Sequence, residues 1–423
     1  MAGPRLTIGL MYLSSTSLAP ALPLAAYFDP AWATIERQQV LAPSWHPVAT
    51  ADQLAAPGQF VTTTLLGVPV VVRRFGDDDG TVVALRNVCA HRSCTIVEAA
   101  AGQAETLRCP YHGWEYGADG LTRKIPKAKN FPHFDRDAHR LDAFAVARSG
   151  GVWWVRLADG PSLDEQLGQW AGVIAGRTEP PRWKPTMIET LTAEANWKIP
   201  LEGSLESYHL PDVHAATFGP DSDPGEEHSD HTITPTFTSF ATTHRQPSLV
   251  TRAEDWAQRR LGVEQPDGRY EHHHLLPNLM LALTESITLL TAVVPTGPAT
   301  SELRCWQWGR QADRSRGGLV GGLMDGVVGR GTAFSLGRAA AKASLAVLKE
   351  DVAIFPRVQR GIEGRAAAED TLGGDGIGGD GHSGDGPAAG GVLGRCEERL
   401  HAFQQFVADR CGGAALPGGD AAD

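Results

Sequence analysis

Two mixed ligand pairs, Cys89-Ala90-His91 and Cys109-Pro110-Tyr111-His112, stand with seventeen residues between His91 and Cys109. Two thiols and two imidazoles that must meet at one point need short loops held in register by a rigid scaffold. Tetrahedral zinc accepts such a set, but zinc fingers usually keep Cys with Cys and His with His. Here each pair is mixed. Two Cys on one iron and two His on the other is how one kind of [2Fe–2S] centre is held, so the pattern favours an electron-transfer cluster over structural zinc.

The segment 89–116 resembles the Rieske segment of ring-hydroxylating oxygenases, as Cys89-x-His91-Arg92 followed by Cys109-Pro-Tyr-His-Gly-Trp-x-Tyr116. The resemblance implies that Cys89, His91, Cys109 and His112 bind a Rieske [2Fe–2S] cluster. Respiratory and photosynthetic Rieske proteins carry two further Cys in a disulfide. Cys94 stands where the first would be, but Tyr111 takes the place of the second, which leaves Cys94 a free thiol. Cys305, Cys396 and Cys411 have neither metal nor disulfide spacing and read as packing residues. Cysteine usage of this kind suits a reducing cytoplasm.

A formal charge of −11 excludes an ordinary nucleic-acid binder, which needs a basic patch. No run of eighteen apolar residues is present to form a transmembrane helix. Residues 1–21, with Arg5, Leu6–Leu13 and Ala19-Pro-Ala21, mimic a weak signal peptide and are read as an extension of uncertain status. With 423 residues, several cores are affordable.

Residues 22–45 read as an N-terminal segment with a helix over Pro30–Gln39. β-branched runs at Phe60–Leu66, Val68–Phe75 and Thr81–Asn87, with the turn Asp77–Gly80 between the last two, predict strands. Thr106–Arg108 and Gly151–Leu157 complete a small all-β domain over residues 46–157, with the Cys-His pairs on two loops at its tip. Residues 158–423 form a larger second domain. It is expected to have a helix over Asp164–Ala175, strands at Met187–Ala195, Thr232–Thr243, His272–Leu283, Ile287–Pro295 and Ser301–Gly309, and helices at Gly331–Gln359 and Cys396–Arg410. Residues 364–394 hold twelve Gly in thirty-one positions and read as a disordered loop.

That second domain carries another dense constellation, Asn196 to His214. His209 and His214 would lie about 140° apart on an ideal helix, and Pro211 forces a distortion between them. Glu206, three residues before His209, is expected on the same helix face. The segment is similar to the "NWK…E…E/D-x-Y-H-x₄-H" stretch of oxygenase α subunits at Asn196, Trp197, Lys198, Glu202, Glu206, Tyr208, His209 and His214, with Gly203 where Asn is usual. Lys349-Glu350-Asp351 through Gln359 and Gly361 resembles the family's carboxylate helix, with Pro356 in place of its second Glu.

Together these resemblances imply the α, or oxygenase, component of a Rieske non-haem iron oxygenase, with an α+β fold: a small all-β cluster domain and a catalytic domain of antiparallel sheet covered by helices. They imply mononuclear Fe(II) on His209, His214 and Asp351, the two-His-one-carboxylate arrangement that handles O₂. Glu206 is implied to link that iron to a neighbouring subunit's cluster in a homotrimer, with or without a β subunit. No NAD or flavin fingerprint is present, so electrons are expected from a separate NAD(P)H-dependent reductase or ferredoxin. The expected reaction is hydroxylation or dihydroxylation of an aromatic or other apolar ring. Monooxygenation of a betaine- or carnitine-like quaternary amine is the alternative, and an electron carrier without oxygenase activity the reading from another class. A cationic substrate would call for an aromatic box, to which Trp306 and Trp308 are candidates on one strand face. In His272-His273-His274, alternation lets at most two side chains converge.

Overall fold

The computed structural model describes residues 18–76, 80–219, 229–243, 249–311, 321–372 and 392–412. The sequence readings of residues 1–17, of the 77–79 turn and of the Gly-rich stretch 373–391 lie outside them. Two compact units emerge: Leu41–Glu179, and Met1–Val40 with Pro180–Asp423.

In the first unit, a seven-stranded antiparallel sheet runs in the order His46–Thr50, Val152–Arg156, Ala143–Ser149, Val82–Arg86, Val68–Arg74, Gln59–Leu65, Ala101–Gln103. Successive strand residues face opposite sides. Val70 and Val72 accordingly pack with Val48, Leu54, Leu65 and Val155, whereas Val71 packs with Leu85, Leu107, Trp114 and Leu141. Both faces of that strand are buried, hence its unbroken valine run. Cys89, Cys109 and Tyr116 belong to the second cluster, so the ligand loops are anchored in the core. A small sheet of Leu107–Arg108, Glu115–Tyr116 and Thr122–Lys124 carries the second loop.

The other unit is built on a seven-stranded antiparallel sheet in the order Trp183–Ala193, Thr300–Arg310, Ile287–Gly297, Leu279–Leu283, Tyr270–Leu275, Phe237–Thr242, Asp230–Ile233. The helices Lys198–Ser204, Leu210–Val213, Leu249–Arg260, Gly321–Leu372 and Glu398–Cys411 accompany it. This is the α+β arrangement anticipated from sequence, with several differences of detail. Thr232–Thr243 is two strands, because a turn intervenes in which Thr234 Oγ1 accepts the Phe237 amide at 3.0 Å. His272–Leu283 is likewise a hairpin, and buried Asn278 at its turn donates to the Val293 carbonyl at 2.8 Å. In the first unit, the helix expected over Asp164–Ala175 breaks at Gly168, whose φ of 52° suits glycine.

Residues 364–372 are helical rather than loop, since Arg365 to Leu372 is rich in helix formers and extends the long helix, with an Arg365–Glu369 pair at 3.3 Å. Pro356 is accommodated inside it. Among the described residues no helix is long and apolar enough to cross a membrane.

Several of the motif residues near 196–202 turn out to build scaffold. Lys198 Nζ meets Glu36 Oε1 at 2.6 Å with both side chains buried, and Trp197 Nε1 donates to Glu36 Oε2 at 2.7 Å. Glu202 Oε1 accepts from Tyr27 Oη at 2.5 Å and from Gln404 Nε2 at 3.0 Å. Burial pushes the Glu202 carboxyl above its ordinary range. Gln359 accepts the Asn196 amide at 2.9 Å and donates to the Tyr27 carbonyl at 3.1 Å. These bonds tie the N-terminal segment, the start of Lys198–Ser204 and the carboxylate helix into one frame beneath the second histidine pair.

Candidate metal centres

The two Cys-His loops share one backbone plan. Ser93 and Gly113 donate amides to the carbonyls of Cys89 and Cys109 at 3.0 Å, and those cysteines' amides donate to the carbonyls of Cys94 and Trp114 at 2.8 Å. Each plan needs a left-handed residue four positions after the cysteine, at φ 55° for Ser93 and 71° for Gly113. A Cβ on Gly113 would come within 2.9 Å of the Arg108 guanidinium.

Both cysteines are buried, while His91 is half-buried and His112 exposed. His91 Nδ1 and His112 Nδ1 lie 3.1 Å apart, and the His91 ring stacks on Trp114 with centroids 4.8 Å apart. Tyr116 Oη accepts the Ala90 amide at 3.1 Å and stands 3.0 Å from Cys89 Sγ, towards which its hydroxyl can donate. Burial raises the Cys89 thiol, with Cys109 adding to the effect and Tyr116 opposing it. Two sulfurs in the core and two imidazole nitrogens facing each other at the rim fit a [2Fe–2S] centre with His on its outer iron. Cys94 is half-buried and, like Cys305, Cys396 and Cys411, forms no disulfide.

In the second unit, Lys198–Ser204 ends before Glu206, and the next helical turn, Leu210–Val213, starts after His209. Glu206 and His209 therefore do not share a helix face. Pro211, in the first turn of the new helix, replaces no needed donor there. The interruption lets His209 and His214 flank a single turn. Their Nε2 atoms lie 3.3 Å apart, and Asp351 Oδ1 is 3.0 Å from His214 Nε2 and 3.7 Å from His209 Nε2. Three ligand atoms, one from each residue, fall within 4.8 Å of one another. Two nitrogens and one carboxylate oxygen fit Fe(II).

Each imidazole is steered from behind. Glu206 Oε1 is 2.6 Å from His209 Nδ1, and its Oε2 accepts the His209 amide at 3.1 Å. Glu350 Oε2 is 2.8 Å from His214 Nδ1, and its Oε1 accepts from Thr217 Oγ1 at 2.8 Å. A carboxylate on Nδ1 fixes the tautomer that presents Nε2 to a metal. The His214 and Thr217 hydrogen bonds lower the Glu350 carboxyl. Burial raises that of Asp351 against the pull of both histidines, and a bound cation would favour its ionised form.

Glu350 is the residue that sequence reasoning passed over. Adjacent helical positions point about 100° apart, so Glu350 and Asp351 cannot approach one point from the same direction. They reach the same imidazole from opposite sides. The usable signal was that every ligating His needs an acceptor on its other nitrogen.

The site opens on a cavity of about 610 Å³. Leu205, Leu210, Met280, Leu289, Val347 and Leu348 give it an aliphatic wall, and Phe218, Phe240, Tyr270 and Phe355 contribute rings. The departure at Gly203 has a partner: a Cβ there would stand 3.2 Å from Phe355 Cε1, so the Phe355 ring uses that space. Trp306 and Trp308 share a face, as alternation requires, but the residues of their own strand and of the adjacent Ile287–Gly297 that line the cavity are Ile287, Leu289, Thr291 and Leu303. By register Leu289 pairs with Gln307 and Leu290 with Trp306, which puts both tryptophans on the opposite face. They are no part of a cation box in this cavity. Asp212 lies on the turn between the histidines and is absent from the cluster of ligand atoms.

Residues 180–413 match the family described as ring hydroxylating alpha subunit (catalytic domain), and residues 44–135 match the Rieske [2Fe–2S] domain. The chain belongs to the Rieske non-haem iron oxygenase family. Its two domains are those that carry a Rieske [2Fe–2S] cluster and a mononuclear iron. The chain is 32% identical over 196 residues to the glycine betaine monooxygenase oxygenase subunit of Chromohalobacter salexigens, covering 46% of this chain and 43% of that protein. It is 33% identical over 202 residues to chloroplastic choline monooxygenase of Spinacia oleracea, covering 45% and 44%. The chain spans about half the length of the curated relatives it matches. Among solved structures, the quaternary ammonium Rieske monooxygenase CntA with gamma-butyrobetaine superimposes with a TM-score of 0.64 at 18% identity, covering 93% of this chain and 96% of that one. Naphthalene 1,2-dioxygenase from Rhodococcus sp. gives 0.65 at 18%, covering 93% and 95%. At such identities the two solved structures share the fold alone.

Proposed function

We propose that this chain is the oxygenase component of a Rieske system that monooxygenates a quaternary amine, drawing electrons from a separate reductase or ferredoxin. Cys89, His91, Cys109 and His112 would hold the cluster, and His209, His214 and Asp351 the ferrous ion. When bound, the cluster supplies single electrons and the iron a site for O₂ chemistry. Glu206 and Glu350 hold the two imidazoles in the Nε2-presenting tautomer. The aliphatic wall excludes water from the reacting carbon.

One observation carries the oxygenase reading: a two-His-one-carboxylate set, each His backed by its own acid, on the wall of a cavity large enough for a small organic molecule. The amine reading draws on the names of the relatives and on Phe240 and Tyr270, whose ring centroids lie 6.5 Å apart in the cavity lining. Hydroxylation of an apolar ring is the second reading, favoured by the predominantly aliphatic lining and by the absence of Trp306 and Trp308 from it. In a homotrimer, Glu206 would connect His209 to a cluster histidine of the neighbouring subunit.

O₂ uptake with a generic NADH-dependent reductase, a panel of quaternary amines and apolar ring compounds, and mass analysis of products tests the proposal. Formaldehyde from an N-methyl group is expected from the amines. Turnover that survives His209→Ala with the cluster intact would reject the mononuclear site, whereas a reducible cluster with no turnover on any member of the panel would leave the chain an electron carrier.

A further inference from the structure

Arg399, the second residue of the C-terminal helix Glu398–Cys411, reaches the cavity although it is only 4% exposed. Its Nη2 lies 3.1 Å from His272 Nδ1 and its Nε donates to Thr238 Oγ1 at 3.1 Å. A guanidinium only donates. His272 Nδ1 must therefore accept, which places the imidazole proton on Nε2. Burial, reinforced by the charge of Arg399, holds the His272 pKa well below its ordinary value, so the ring is a neutral donor at physiological pH. No partner is recorded for His272 Nε2 among the described residues, and His272 lines the cavity beside Tyr270, two positions earlier on the same strand face. The Tyr270 hydroxyl feels Arg399 and Asp351 in opposite senses, and so lies within electrostatic reach of both. The cavity lining thus holds both signs: the Arg399 guanidinium and the His272 imidazole N–H from one set of elements, and the acids Glu206 and Asp351 at the histidine pair from another.

We propose that His272 and Arg399 form an oxyanion-binding end of this cavity and that they select substrates bearing a carboxylate. The inference rests on the oxygenase reading only in taking the occupant of the cavity to be the substrate. A carboxylate is drawn to Arg399 and repelled from Glu206 and Asp351. A zwitterionic betaine would accordingly lie with its N-methyl carbons towards His209 and His214, and an aromatic acid with its ring there. A neutral or purely cationic molecule such as choline gains nothing at this end.

The test uses matched acid–alcohol pairs, glycine betaine against choline and benzoate against benzyl alcohol, titrated calorimetrically into the holo-protein at fixed ionic strength. In at least one pair the acid should bind about 10- to 100-fold tighter than its alcohol, as hydrogen bonds to a charged group imply. His272→Phe should reduce that ratio at least about tenfold, whereas His272→Gln, whose amide can donate from nearly the same place, should keep most of it. Equal affinities within both pairs, or failure of both acids to bind, overturn the proposal without any variant. A folded His272→Phe protein with the wild-type ratio overturns it too. O₂ uptake on the same samples separates the two claims. Acid-selective binding without any product sinks the oxygenase reading and leaves the carboxylate site standing, whereas products from alcohols and acids alike, with equal affinities, do the reverse.

Discussion

Glu350→Ala removes two hydrogen bonds at once: the 2.8 Å contact to His214 Nδ1 and the 2.8 Å bond from Thr217 Oγ1. His214 is 1% exposed, so its ring is held by its surroundings, whereas Glu350 retains 23% side-chain exposure and water can partly take its place. Loss of a carboxylate behind a ligating histidine typically weakens metal binding 10- to 100-fold. The solvent access of Glu350 places the expected loss towards the lower end, about tenfold to thirtyfold. Glu350→Gln keeps an acceptor for Nδ1–H but not the charge, and should fall between wild type and Glu350→Ala. Thr217→Val deletes only the neutral bond and should cost no more than about fivefold. Iron affinity is read by competition with a calibrated chelator, while acid-labile sulfide and the visible spectrum report the cluster separately. Wild-type iron affinity in Glu350→Ala would refute the role assigned to this acid. So would loss of sulfide in parallel with iron, since that would mean general unfolding.

Further outcomes follow from the same geometry. Glu206→Gln should leave both metals loaded, because Gln can still accept from His209 Nδ1, but should slow reoxidation of the reduced cluster by O₂ and substrate in stopped-flow absorbance; unchanged rates would remove the bridging role. Lys198→Met leaves Glu36 buried beside Trp197 without its cation, and chemical denaturation should show a loss of about 3–5 kcal/mol, typical for breaking a buried pair. His274, fully buried with Nδ1 unpartnered, is pushed down to about 3 by burial. Its unfolded value is about 6.5. The unfolded chain therefore binds a proton that the folded one refuses, and the stability His274 contributes is present above that value and lost as pH falls below it. At pH 5 the loss is about 2 kcal/mol relative to pH 7, and thermal unfolding of His274→Gln should show a correspondingly smaller drop over that range.

Much of this architecture was legible because chemistry restricts spacing. The mixed Cys-His pairs allow few scaffolds, and valine runs such as Val70–Val72 announce strands buried on both faces. The positions of His209, His214 and Asp351 followed from their motifs, and the structure brings the three together. What escaped was decided by three-dimensional context. The break after Ser204, which separates Glu206 from the His209 turn, depends on how Pro211 begins a new helix. Glu350 and Asp351 bracket one imidazole, a relation that their adjacency in the sequence does not reveal. Trp306 and Trp308 share a face, but which face borders the cavity depends on the pairing of Leu289 with Gln307 across the sheet. His272 and Arg399 are 127 positions apart, too distant for any local pattern to join them.

The central claim is that His209, His214 and Asp351 grip an iron distinct from the cluster. Iron and acid-labile sulfide per chain, measured in wild type and in Asp351→Ala, test it most directly. The account predicts one iron more than sulfide in wild type, and equal amounts in the variant with the cluster spectrum unchanged. The same iron excess in both proteins, or zinc without labile sulfide in wild type, would contradict it.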